Sequence, residues 1–120
     1  MIALWLMTAL LLKHFILDFP LQMKYMLEEK GTYLADGGIH HAFLHGIATA
    51  MIFDWMGFHA VASTLGILDI MIHYHVDYLK VRLGKKFAWD PSKKVFWTAL
   101  GVDQLAHQMT YVLLVALALR

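Results

Sequence analysis

The chain has 120 residues, 60% of them hydrophobic, with a mean hydropathy of +0.58 and a formal net charge of +1. The near-neutral charge gives no argument for a nucleic-acid partner, and the lack of cysteine excludes disulfides and thiolate metal sites. A small water-soluble domain has too much surface to hide so much apolar side chain, so the composition predicts a single all-α transmembrane domain over residues 1–120.

The opening run "MIALWLMTALLL" has neither a basic leader nor a small-residue cleavage site, so it reads as mature protein. It starts a first span, Met1 to about Met23, with Pro20 kinking or ending it. The loop "KYMLEEKGTYLA" leads to a second span, about Asp36–Met56, with Asp36 as its N-cap. "DWMGFH" reads as a tight turn into a third span, about Phe58–Leu83, closed by Gly84. In "DPSKK", Asp90 is placed to cap a fourth span over residues 91–119, with Pro91 at its first position. The loop before it carries Lys80, Arg82, Lys85, Lys86, Lys93 and Lys94, which the positive-inside rule assigns to the cytoplasm. The expected molecule is a multi-pass four-helix bundle of a bacterial inner membrane, with both termini facing outward.

Each span carries ionisable residues four apart: His14 and Asp18; His41 and His45; Asp69, His73 and Asp77; Asp103 and His107. Residues at that spacing share one helix face. At about 1.5 Å per residue, their depths from the expected cytoplasmic ends overlap between roughly 5 and 15 Å. Helices of alternating direction place them in one layer only if they converge. Unpaired, each Asp at the centre of a membrane helix would cost about 2.5–3.5 kcal/mol. His and Asp are zinc ligands, and four-helix bundles build dimetal centres from such inward pairs. Two zinc ions would cancel the four carboxylates, with bridging carboxylates and water making room for a third; another divalent metal is an alternative. The competing reading of any one His is an interhelical hydrogen bond. Gln22 and Gln104 extend or flank the stripes as residues that could orient a ligand. Lys13, beside His14, snorkels or faces the site. His40 and His75 fall off the stripes, and His59 lies in an outer turn.

The motifs "KHFILDFPLQ", "HHAFLHG", "DIMIHYHVDYLK" and "DQLAHQ" resemble a family of small bacterial and phage membrane proteins described only as a domain of unknown function. The resemblance covers nearly the whole chain. More loosely, the chain is similar to inner-membrane proteins described as metal-dependent hydrolases. It is similar too to the zinc-dependent phospholipase C and nuclease superfamily, whose helices hold a zinc cluster through His and Asp. That second resemblance implies phosphodiester hydrolysis, without a ligand-by-ligand match.

The leading expectation is therefore a metal-dependent hydrolase acting on a phosphoester of a lipid or lipid-linked substrate. Zinc lowers the pKa of bound water to about 7. Asp69 or Asp77 would serve as general base, and Lys80 (or Arg82) would hold the substrate phosphate. A divalent-metal or proton transporter is the alternative, although the outer half of the bundle reads as apolar. So is a metal-stapled structural protein, in contact with membrane lipid and able to dimerise through close helix contact at Gly46 and Gly66.

Overall fold

The computed structural model describes residues 1–120 as five helices: α1 (Ile2–Asp18), α2 (Lys24–Glu29), α3 (Asp36–Trp55), α4 (His59–Lys86) and α5 (Lys94–Ala118). Helix α1 stops ahead of Pro20, which cannot continue a helical hydrogen-bond ladder. The loop expected after it contains the short α2, which packs on α3. Glu29 at the end of α2 accepts a 2.6 Å hydrogen bond from the Gly37 backbone N–H, satisfying an otherwise orphaned donor in the first turn of α3.

The observed helix ends differ from the expected caps. Ala35, not Asp36, occupies the N-cap of α3, and Asp36 is a first-turn acid that favours the positive end of the helix dipole. Helix α4 runs through Gly84 to Lys86, because nothing after Leu83 forces a left-handed residue until Ala88 (φ 49°). Asp90 does not cap α5, which starts at Lys94. Its carboxylate accepts the Ser92 backbone N–H at 3.0 Å instead, making a local turn. The turn between α3 and α4 requires Gly57, whose φ of +91° side-chain-bearing residues rarely adopt.

Helices α3 and α4 form the most extensive pair. A Cβ on Gly46 would lie 2.5 Å from the Gly66 carbonyl oxygen, and one on Gly66 would lie 2.6 Å from the Gly46 oxygen. The two glycines thus serve a close crossing within the chain, and this crossing sets His45 against His73.

No helix is long and apolar enough to cross a membrane, which overturns the expected transmembrane bundle. The most apolar helix, α1, has 17 residues, about 25 Å of rise against a hydrocarbon layer of about 30 Å. The longer helices are interrupted by the ionisable residues that were to form the site. Asp36, His41, His45 and Asp54 lie in α3. Asp69, His73, Asp77 and the basic run from Lys80 lie in α4, and Asp103 and His107 lie in α5. The multi-pass inner-membrane placement, the outward termini and the location of the site in a cytoplasmic half rested on those spans and fall with them.

The apolar surplus lies largely outside. Trp5, Met51, Trp55, Ile67 and Leu105 are exposed. An apolar cluster of Leu6, Leu10, Phe53, Ala62, Leu65, Tyr111, Leu114 and Val115 fills one end of the bundle. Beyond it the interior turns polar. Of the 27 buried residues, twelve are polar or charged and ten hydrophobic. Hydrophobic packing alone does not explain such an interior, since buried ionisable groups need partners.

Candidate metal centre

The polar interior is assembled from four helices. Helix α1 supplies Lys13, His14 and Asp18, α3 supplies His41, His45 and Thr49, α4 supplies Asp69, His73 and Asp77, and α5 supplies Asp103 and His107. The i,i+4 spacing within each helix turns every pair inward, one turn apart.

Three groupings have ligand atoms within 4.8 Å of one another: Asp18, His41, His45 and His73; His14, His73 and His107; and Asp77, Asp103 and His107. These contain eight of the nine residues expected as ligands. In the first grouping, Asp18 Oδ1 lies 2.9 Å from His41 Nε2, 3.1 Å from His45 Nε2 and 3.6 Å from His73 Nε2. His41 Nε2 and His73 Nε2 are 3.1 Å apart. A tetrahedral ion with ligands at about 2.0–2.1 Å sets neighbouring donor atoms roughly 3.3 Å apart, and these four separations lie close to that value. Asp77 bridges toward the third grouping. Its Oδ2 is 3.4 Å from His73 Nε2 and its Oδ1 is 3.2 Å from His107 Nε2. His107 Nε2 is 3.6 Å from Asp103 Oδ1.

One atom argues that this is more than a hydrogen-bonded polar core. Asp103 Oδ1 is buried and has no hydrogen-bond partner, with His107 Nε2 3.6 Å away. Such an orphan is costly unless something else satisfies it. Asp103 belongs to one of the groupings that fit a cation.

The ninth residue, Asp69, lies elsewhere. Its Oδ2 pairs with Lys13 Nζ at 2.9 Å and accepts the Thr49 hydroxyl at 2.6 Å. Lys13 also donates to Thr49 Oγ1 at 2.9 Å and approaches His45 Nδ1 at 3.3 Å. An ammonium can only donate. With Lys13 charged, His45 Nδ1 is therefore the acceptor and the ring proton sits on Nε2, which an ion would have to displace.

Other side chains hold the ligands in place. His14 Nδ1 lies 2.9 Å from the Tyr111 hydroxyl and His14 Nε2 lies 3.1 Å from Gln104 Oε1. Gln104 donates in turn to Asp103 Oδ2 at 3.2 Å, and Gln22 Nε2 is 3.4 Å from His41 Nε2. Lys30, the residue after α2, is buried and pairs with Asp77 Oδ2 at 2.6 Å. His40, His59 and His75 are exposed, away from the site.

Charge is redistributed accordingly. Burial disfavours the charged forms of His45 and His73 and pushes each down to about 3, so both are neutral donors. Burial would raise Asp18, but hydrogen bonds from His41 and His45 and the nearby His73 outweigh it and hold the carboxylate well below its usual range. Burial of Asp77 is likewise outweighed, by His73 and His107, and it too is held low. Burial opposes the imidazolium of His107, yet the Asp103 and Asp77 carboxylates raise it to about 9. Burial lowers Lys13 against the pull of Asp69.

A cleft of about 120 Å³ reaches this layer, bordered by Asp18, Gln22, Lys30, Asp77, Lys80 and Asp103 among others. It brings three carboxylates and two lysines to one opening.

Sequence reasoning passed over Lys30, Thr49 and Tyr111. Thr49 and Tyr111 each continue a visible stripe, at i+4 from His45 and His107. Lys30 lies off every stripe and reaches the site only through the fold of α2.

A family model described as a protein of unknown function (DUF3307) matches residues 6–119. No curated protein and no solved structure matches the chain.

Proposed function

We propose that this chain, which belongs to the DUF3307 family of unknown function, is a metal-dependent hydrolase of phosphate esters. The observation that carries the reading is the convergence of Asp18 Oδ1 and the His41, His45 and His73 Nε2 atoms, at the separations one ion would need, beside an opening lined by Lys30 and Lys80. Nitrogen and carboxylate donors of this kind suit zinc. A first ion is assigned to that set and a second to Asp77, Asp103 and His107. The bound ions would supply Lewis acidity and an activated water at neutral pH.

The charges favour an anionic substrate. Asp18, Asp69, Asp77 and Asp103 against Lys13, Lys30 and the His107 imidazolium leave a formal charge of −1. Two divalent ions, one of them displacing the His107 proton, bring it to +2, which a phosphate dianion offsets. Lys80 lies at the mouth, where an ammonium can hold a phosphate oxygen. Asp103, whose Oδ2 accepts from Gln104, has its unpartnered Oδ1 left for the second ion. Asp77 is engaged by Lys30 and His107, and Asp69 is engaged by Lys13 away from the opening, where it positions His45 through that lysine. In the reaction, water oxygen bonds to phosphorus, the ester P–O bond breaks, and the leaving oxygen takes up a proton.

A structural staple is the second reading, favoured by the complete burial of His41, His45 and His73. Metal analysis and hydrolysis of 4-nitrophenyl phosphate and its bis-ester, on the native chain and on His73→Ala and Asp103→Ala, separate the two. Bound metal with no turnover of either ester leaves only the staple. A native chain without metal sinks both.

A further inference from the structure

The polar cleft does not end at its lysines. A groove of about 380 Å³ runs between α4 and α5, walled by Val76, Leu79, Leu83, Trp89, Val102 and Ala106. Its volume is in the range of small-molecule sites. Lys80 and Asp103 belong to both the groove and the cleft, so an apolar channel and a charged one meet at these two side chains. A second apolar groove, between α3 and α4 around Ile39, Phe43, Ile70 and Met71, shares no residue with the cleft.

We propose that the α4/α5 groove holds the hydrocarbon chain of an amphiphilic phosphate ester, whose phosphate sits at Lys80 and Lys30. The proposal rests on the reading of the cleft as a phosphoester site and adds the class of substrate. The occupant follows from the junction. A ligand anchored by its phosphate at Lys80 borders the cleft, the groove and a smaller opening toward Lys85 and Phe96. The cleft is lined by charged and amide groups that a hydrocarbon chain would strip of solvent without replacing their partners. The apolar groove, the largest of the three, gains from each methylene it takes out of water.

The test is calorimetric titration of the purified protein with inorganic phosphate and with ethyl, butyl, hexyl and octyl phosphate, each below its micelle concentration. Affinity is expected to rise up to about fourfold per methylene until the groove is filled. Leu83→Glu and Val95→Glu, both exposed positions on the groove, should flatten that dependence, taken in each variant relative to its own affinity for inorganic phosphate. Met71→Glu, on the other groove, should leave the dependence intact. Phosphate binding with no chain-length dependence overturns the groove and spares the phosphoester reading. Loss of the dependence in Met71→Glu but not in Leu83→Glu overturns it as well. Failure to bind any of the phosphates overturns both.

Discussion

Lys13 Nζ and Asp69 Oδ2 lie 2.9 Å apart inside the bundle, both nearly inaccessible, with the Thr49 hydroxyl bonded to each. The pair takes Asp69 out of the ligand set and turns Lys13 toward His45. Breaking a buried pair by removing one partner leaves an uncompensated charge and costs about 3–5 kcal/mol. Asp69→Ala is expected to lose that much in urea denaturation, and Lys13→Met a comparable amount. The double variant Lys13→Met/Asp69→Ala should be much less unstable than the sum of the two singles, because no charge is left stranded. A double variant as unstable as the sum of the singles would show that the two residues do not act as a pair.

The Gly46–Gly66 crossing predicts a second effect. A Cβ at Gly46 meets the Gly66 carbonyl oxygen and Ile70, both in α4. Overpacking of this kind costs about 1–3 kcal/mol, and the relief is to separate α3 from α4. The His45 and His73 rings, with centroids 3.7 Å apart, would separate with them. Gly46→Ala should therefore lower thermal stability and weaken metal binding together, whereas Gly101→Ala, inside α5 with open space around it, should leave metal binding unchanged and raise stability by about 0.5–1 kcal/mol. Thermal melts with and without added zinc check this.

The metal-free protein should show a two-sided pH dependence. His45 and His73, near 3 when folded against 6.5 in an unfolded chain, bind fewer protons in the native state. Their contribution is present above pH 6.5 and is lost as pH falls from there toward 3. His107, raised to about 9, has the opposite sign. Its contribution, roughly 3 kcal/mol by linkage, is complete below pH 6.5 and disappears as pH rises through 9. Urea midpoints at pH 5, 6.5, 8 and 9.5 in the presence of a chelator should peak near 6.5. His107→Gln should lose the alkaline fall and keep the acid one.

Metal binding at the third grouping requires His107 to give up its proton. Zinc titration at pH 7 is thus expected to release protons, measurable as a dependence of the binding heat on buffer ionisation enthalpy. The released number should drop by about one in His107→Gln if the remaining ligands still take up the ion. An identical proton count in the two proteins would place the ion away from His107.

The i,i+4 stripes made most of this site legible. His14, Asp18, His41, His45, His73, Asp77, Asp103 and His107 meet because helical periodicity fixes which face each presents, and that period is written in the sequence. Periodicity does not report which partner an inward residue meets. Asp69 shares the stripe of His73 and Asp77, yet lies opposite Lys13, whose fit depends on helix packing. Lys30 was hidden because a six-residue helix has too little pattern to announce itself and its burial is a tertiary event. The helices of the bundle are legible in the sequence, whereas none of them is long and apolar enough to be the span expected of it. A high apolar fraction implied transmembrane spans, but the inward ionisable residues break every helix long enough to serve as one.

The central claim is that the converging Asp and His side chains hold metal. The most direct measurement is elemental analysis of the purified native chain beside His73→Ala, whose ring borders two of the three groupings. We expect about two equivalents of a divalent metal, zinc foremost, in the native protein, and at most one in His73→Ala with its helical circular dichroism retained. A native protein that carries no metal and takes up none on zinc titration would contradict the claim.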